Sequence, residues 1–257
     1  MRVAPAPVAS LLVSPSFASA RARRRHARAL VSAPIMATAA SSAAARARPG
    51  AAYSLGRTLY LALTNASNAA SILDTRGPGF AMPPDSGFRL LPADAPEPSA
   101  EELAAIVDDC YARADIVGMG ENDPGVVFAG AGEPLLRLPV LAETVALVRE
   151  RRHGVPFRVH TNGLHPAAVA HALCDVRPDV VTVALATADP NQYETLMRPE
   201  RGAGGHAAVC GFIAALADAG VEVEAVAVAA PGVAVADARK LAEALGAAAF
   251  RTRTWVE

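Results

Sequence analysis

Cysteine is scarce in this chain of 257 residues: Cys110, Cys174 and Cys210 stand far apart, odd in number and outside any CxxC pattern. Such spacing excludes a disulfide framework and offers no zinc site. No uninterrupted apolar run approaches the roughly 20 residues that cross a bilayer. The longest stretch, 225 to 236, is broken by Pro231 and Gly232, which excludes a membrane span. Lysine is nearly missing, with Lys240 alone among 24 basic residues, a bias of composition rather than of function. A Gly-x-Ser-x-Gly elbow, a Walker loop and a dinucleotide Gly-x-Gly-x-x-Gly are also missing.

Acidic residues are absent from the first 50 positions, which hold eight arginines and seven serines. That is the composition of an organellar transit peptide. The expected organisation is therefore an unstructured targeting segment over 1–50, for chloroplast or mitochondrion, and one domain over 51–257. Initiation at Met36 with a cytoplasmic product is the alternative. Beyond residue 50 the chain carries 16 basic against 25 acidic side chains, which argues against general nucleic-acid binding. The 52% hydrophobic content includes 60 alanines, so the core is expected to be tight and helix-rich rather than bulky.

From about Leu55 onward, short β-branched runs alternate with helical patterns, the rhythm of βα units around a parallel sheet. Strands are expected near 57 to 63, 125 to 129, 156 to 161, 179 to 185, 221 to 228 and 248 to 253. Helices are expected near 99 to 113, 138 to 152, 166 to 174, 206 to 218 and 235 to 245. Ser99 and Glu102 form the signature of a capping box before the first of these helices. Six strands with five crossover helices predict an α/β fold, a partial, open TIM-type barrel of about six βα units. A doubly wound sheet is the alternative.

Chemistry in such folds gathers at the carboxyl ends of the strands. There the sequence places Thr64-Asn65-Ala66-Ser67 with Ser71 and Asp74 further on, then Gly130-Ala131-Gly132-Glu133-Pro134, Thr161-Asn162-Gly163, Ala184-Leu185-Ala186 and Pro231-Gly232. A long, proline-rich loop between Phe80 and Pro98 is expected over the barrel mouth.

Taken in order, these strand ends resemble the radical S-adenosylmethionine (radical SAM) superfamily, and within it the branch described as TatD-associated. Further matches are Glu97-Pro98-Ser99, Leu135-Leu136-Arg137, Tyr193 with Arg198-Pro199, and Pro231-Gly232-Val233. The resemblance covers about residues 55 to 257 and implies the radical SAM core fold. It implies S-adenosylmethionine bound near Gly132, Glu133, Pro134, Thr161 and Asn162, and a 4Fe-4S cluster held by a CxxxCxxC segment. In that segment this chain departs: Ser67, Ser71 and Asp74 occupy the three cysteine positions. Iron–sulfur clusters are held by thiolates, and hydroxyl or carboxylate oxygens are poor substitutes. A second departure is Ala184-Leu185-Ala186 where the family usually has Ser-Leu-Asn.

Each residue also has a plain structural reading. Glu133 suits the first turn after a strand, where the helix dipole favours an acid, and Asn162-Gly163 is an ordinary turn pair. Asp74 with Ser67, Ser71 and Glu133 makes a poor Mg²⁺ site without a phosphate ligand. His160, His165 and His171 show no zinc spacing. The expectation is a radical SAM-fold protein that has lost cluster and radical chemistry, a pseudoenzyme that keeps binding of a nucleotide, another small molecule or a protein partner. An active radical SAM enzyme of unknown substrate is the alternative.

Overall fold

A computed structural model of the chain describes residues 48–113, 125–200, 202 and 204–257. The expected targeting segment, apart from its last three residues, lies outside the described residues. Seven strands form one sheet in sequential order: β1 (Ala52–Leu55), β2 (Thr58–Leu61), β3 (Val126–Phe128), β4 (Phe157–Thr161), β5 (Val180–Ala186), β6 (Val223–Val228) and β7 (Ala249–Arg253). β1 and β2 are an antiparallel hairpin, and β2 to β7 are all parallel. Strand order without a reversal excludes the doubly wound alternative, which needs a topological switch point. Since β1 and β7 do not pair, the sheet is an open partial barrel. Sequence reasoning placed the six parallel strands and missed only β1.

The helices are α1 (Ile72–Thr75), α2 (Ala100–Arg113), α3 (Leu138–Arg151), α4 (Ala167–Val176), α5 (Pro190–Met197), α6 (Gly205–Asp218) and α7 (Val235–Ala244). α2, α3, α4, α6 and α7 are the five expected crossovers. The Ser99–Glu102 box is formed, with the Ser99 N–H donating to Glu102 Oε2 (2.9 Å) and the Glu102 N–H to Ser99 Oγ (3.3 Å). α5, not anticipated, starts at Asp189, whose Oδ1 accepts from the N–H groups of Asn191 (2.8 Å) and Gln192 (2.9 Å), with Pro190 fitting the first turn.

Strand alternation sorts the side chains into two environments. Outward residues such as Leu59, Phe128, Phe157, Val183 and Ala225 are fully buried against the helices and make up the core. The rings of Phe128 and Phe157 stack at 5.9 Å. Inward residues include Ala129, Ala184 and Val226. Closed barrels fill this space with branched side chains; small residues here leave it open.

Candidate functional site

The lumen opens into a cavity of about 470 Å³, within the range of small-molecule sites. The strand ends form one wall. Gly130 and Gly132 line it because the loop after β3 runs against the loop after β2. A Cβ on Gly132 would lie 2.4 Å from the Thr64 carbonyl oxygen and 2.6 Å from that of Ala66. That close approach lets the Glu133 N–H donate to Ala66 O (2.9 Å) and swings the carboxylate inward.

Glu133 is buried and joins two strand ends. Its Oε1 accepts from the Thr161 hydroxyl (2.8 Å) and the Leu135 N–H (3.0 Å), and its Oε2 from the Asn162 N–H (2.7 Å). The Asn162 amide donates to Asn68 Oδ1 (2.6 Å) and accepts from the Leu164 N–H (2.9 Å); Asn68 in turn donates to Leu164 O (3.0 Å). Gly132, Glu133, Thr161 and Asn162 are thus brought together at the cavity wall, while Pro134 starts the 3₁₀ turn Pro134–Arg137 behind them. Glu133 caps the turn, as its structural reading expects, and it also lines the cavity. Arg137 braces the same corner, donating to Leu63 O and Pro98 O (2.8 Å each) and pairing with Glu97 at 3.1 Å.

Along the loop after β2, Ser67 and Ser71 face the cavity and Asp74 faces Arg198 at 3.4 Å. The Ser67 hydroxyl donates to Ala69 O (2.8 Å). Ser71 and Asp74 cap α1 reciprocally: the Ser71 hydroxyl and N–H donate to Asp74 Oδ2 (2.7 and 2.9 Å), and Ser71 Oγ accepts from the Leu73 N–H (3.2 Å). The hydrogen bond from Ser71, helped by Arg198, lowers the Asp74 carboxyl below its ordinary pKa. Among the described residues no group of three or more His, Cys, Asp or Glu is arranged to hold a metal ion. The cysteines sit in α2, α4 and α6 and none lines the cavity. Burial pushes all three thiols up, Cys110 to about 11.

At the end of β5, Ala186 adopts φ 60° beside a bulge in the pairing with β6. This left-handed conformation suits asparagine and glycine far better than alanine.

β1, β2, β4 and β7 supply a second wall, of which the sequence pointed to His160 alone. Tyr53 and Tyr60 stack at 4.9 Å, and Tyr60 meets the His160 ring edge-on at 6.1 Å. Burial, reinforced by Arg253, Arg251 and Arg158, pushes His160 down to about 3 and leaves it a neutral imidazole. Arg251 and Arg253 project from alternate positions of β7, and Arg76 from the loop after α1. His165, by contrast, is buried beside Glu133, its Nε2 3.4 Å from Oε1 but without hydrogen-bond geometry, and His171 is exposed on α4. The loop after α1 contributes Phe80, Met82 and Pro83 to the cavity, and Asn65 pins it through reciprocal bonds with Leu91 (2.8 and 3.0 Å).

The family model for the radical SAM superfamily matches residues 94–245. The chain belongs to that superfamily. Solved structures with the same fold include SuiB of Streptococcus suis bound to the precursor peptide SuiA, with TM-score 0.55 and 12% identity over 77% of this chain and 39% of that one. Native anSMEcpe with bound AdoMet gives 0.57 and 14% over 78% of this chain and 52% of that one. The FeFe-hydrogenase maturase HydG of Carboxydothermus hydrogenoformans gives 0.51 and 11% over 86% and 49%. This radical SAM chain thus spans about half or less of each of these proteins. No curated protein sequence matches it. No helix among the described residues is long and apolar enough to cross a membrane.

Proposed function

We propose that this is a radical SAM-fold protein that has lost the iron–sulfur cluster and its radical chemistry and retains a ligand site in the barrel lumen. The observation that carries this reading is the state of the loop after β2. Ser67, Ser71 and Asp74, which the resemblance sets at the cluster-cysteine positions, carry oxygens rather than thiolates; Ser67 is bonded to the backbone of Ala69, and Ser71 and Asp74 are bonded to each other in the cap of α1. That donor set does not fit a cluster that requires thiolates.

S-adenosylmethionine is the first ligand to consider, because anSMEcpe has been solved with AdoMet and because the cavity is of nucleoside size. Gly132, Glu133, Thr161 and Asn162 would line its site. A peptide is the second class, since SuiB and anSMEcpe were solved with peptides bound. The Arg-rich N-terminus supports import into a chloroplast or mitochondrion.

The test is calorimetric titration of the aerobically purified, iron-free chain with S-adenosylmethionine, followed by an anaerobic assay for 5′-deoxyadenosine after reconstitution. Saturable binding without 5′-deoxyadenosine is expected. Catalytic formation of 5′-deoxyadenosine would establish an active enzyme and overturn the proposal, and absence of binding would restrict it to a non-nucleotide ligand.

A further inference from the structure

Arg251 and Arg253 leave β7 on the same face, one pleat apart, yet meet different surroundings. Arg251 is neutralised: it contacts Glu224 Oε1 through Nη2 (2.6 Å) and Nε (2.9 Å), and Glu224 also accepts from the Thr182 hydroxyl (3.1 Å). Arg253 lies half-buried in the cavity wall and makes no side-chain hydrogen bond or ion pair with any described residue. Arg76 approaches from the loop after α1, held by a hydrogen bond from Nε to Thr254 O (2.9 Å) and by Phe80 under its guanidinium at 4.5 Å. That bond to a backbone carbonyl is the only hydrogen bond its side chain makes among the described residues, so it too has no ion-pair partner there.

The loop bearing Arg76 is fixed against the end of β7. The Val256 N–H donates to Arg76 O (2.9 Å), the Gly79 N–H to Val256 O (3.2 Å), and a Cβ on Gly77 would lie 2.1 Å from Val256 O. Two guanidinium groups are therefore held in the wall of a cavity whose sole acidic lining residue among those described, Glu133, is already engaged by Thr161 and Asn162. Burial disfavours the charged form of both; at Arg253 the charges of Arg76 and Arg251 add to it, and Tyr60 and Glu224 offset part of it. A charge drawn partly out of water without a counter-charge costs stability, and an anion bound beside it relieves that cost. Beside them stand two phenol rings and a neutral imidazole, which offer flat apolar surface and neutral polar groups but no counter-charge.

We propose that Arg253, assisted by Arg76, binds an oxyanion group, a carboxylate or a phosphate, of a small planar molecule whose body lies against Tyr60 and His160. Guanidinium is the side chain suited to bidentate pairing with either group. The inference rests on the lumen being a ligand site, and it concerns the part of the cavity lined by β1, β2, β4 and β7.

Trp255 is the single tryptophan and packs beside Gly77, the chain neighbour of Arg76, so its fluorescence reports on this part of the cavity. The experiment titrates the full chain with benzoate, phenyl phosphate, benzamide and adenosine. Saturable perturbation by benzoate or phenyl phosphate, at least tenfold stronger than by benzamide, is expected; whichever anion binds tighter identifies the source of the oxyanion. Arg253→Met should weaken anion binding tenfold or more, and Arg253→Lys should recover part of it. Arg76→Met gives a second variant should the first fold poorly. Equal binding of benzamide and benzoate, no anion binding by folded wild type, or anion binding by folded Arg253→Met within twofold of wild type would each overturn the proposal. Adenosine carries no oxyanion: if it binds and the anions do not, this inference fails alone, and if the anions bind and adenosine does not, the nucleoside reading fails alone.

Discussion

The two polar groups that line the lumen follow opposite rules. At the strand-end corner Glu133, Thr161, Asn162 and Asn68 satisfy one another and the backbone around them. On β7 Arg253 is left to the cavity while its neighbour Arg251 is paired. A satisfied buried network stabilises and fixes a structure, whereas an unsatisfied one costs stability unless something binds it. The corner is thus architecture that borders the site, and the arginine group is the part of the cavity still short of a partner.

The largest expected effect breaks the corner. Glu133→Ala strands the Asn162 N–H, the Thr161 hydroxyl and the Leu135 N–H, and should cost about 3 to 5 kcal/mol in urea unfolding. Glu133→Gln keeps the shape but turns a donor toward a donor and should cost about 2 kcal/mol.

Titration compares the two groups next. His160 is held at about 3 when folded, against 6.5 ordinarily, so the folded protein binds fewer protons than the unfolded chain between those values. The stability this provides is complete above pH 6.5 and declines as pH falls toward 3, with a slope of up to about 1.4 kcal/mol per pH unit. His160→Gln should remove that part of the slope in unfolding measured across about pH 4 to 7.

The paired and unpaired arginines give a smaller contrast of opposite sign. Arg251→Met removes the counter-charge of Glu224 and should cost about 1 kcal/mol, limited by the exposure of the Arg251 side chain. Arg253→Met removes a charge that has no direct ion pair among the described residues and should leave stability unchanged or raise it by up to about 1 kcal/mol. Smallest is relief of the left-handed Ala186: Ala186→Gly or Ala186→Asn should stabilise by about 0.5 to 1 kcal/mol in thermal unfolding.

The sheet was legible because each parallel strand is a short β-branched run such as Val180–Ala186 or Val223–Val228 followed by a helical pattern. β1 was missed because Ala52–Leu55 continues an alanine-rich stretch and gains its place only by pairing with β2. α5 was missed although Asp189-Pro190 carries a start signal, since its buried face consists of Tyr193 and Met197 alone. At the site, Gly132, Glu133, Thr161 and Asn162 could be read as strand-end residues, but not the bonds that satisfy them. Arg253 was hidden for a different reason. Phe250-Arg251-Thr252-Arg253 shows the alternation, yet which arginine meets an acid depends on Glu224 of β6 and on the register between strands.

Iron and acid-labile sulfide content, with the visible spectrum, after anaerobic reconstitution tests the central claim most directly. The full chain is measured beside a Ser67→Cys, Ser71→Cys, Asp74→Cys variant. The account predicts no stoichiometric iron or sulfide in the native chain and a brown, cluster-bearing variant. A native chain that itself takes up four irons and four sulfides would contradict it.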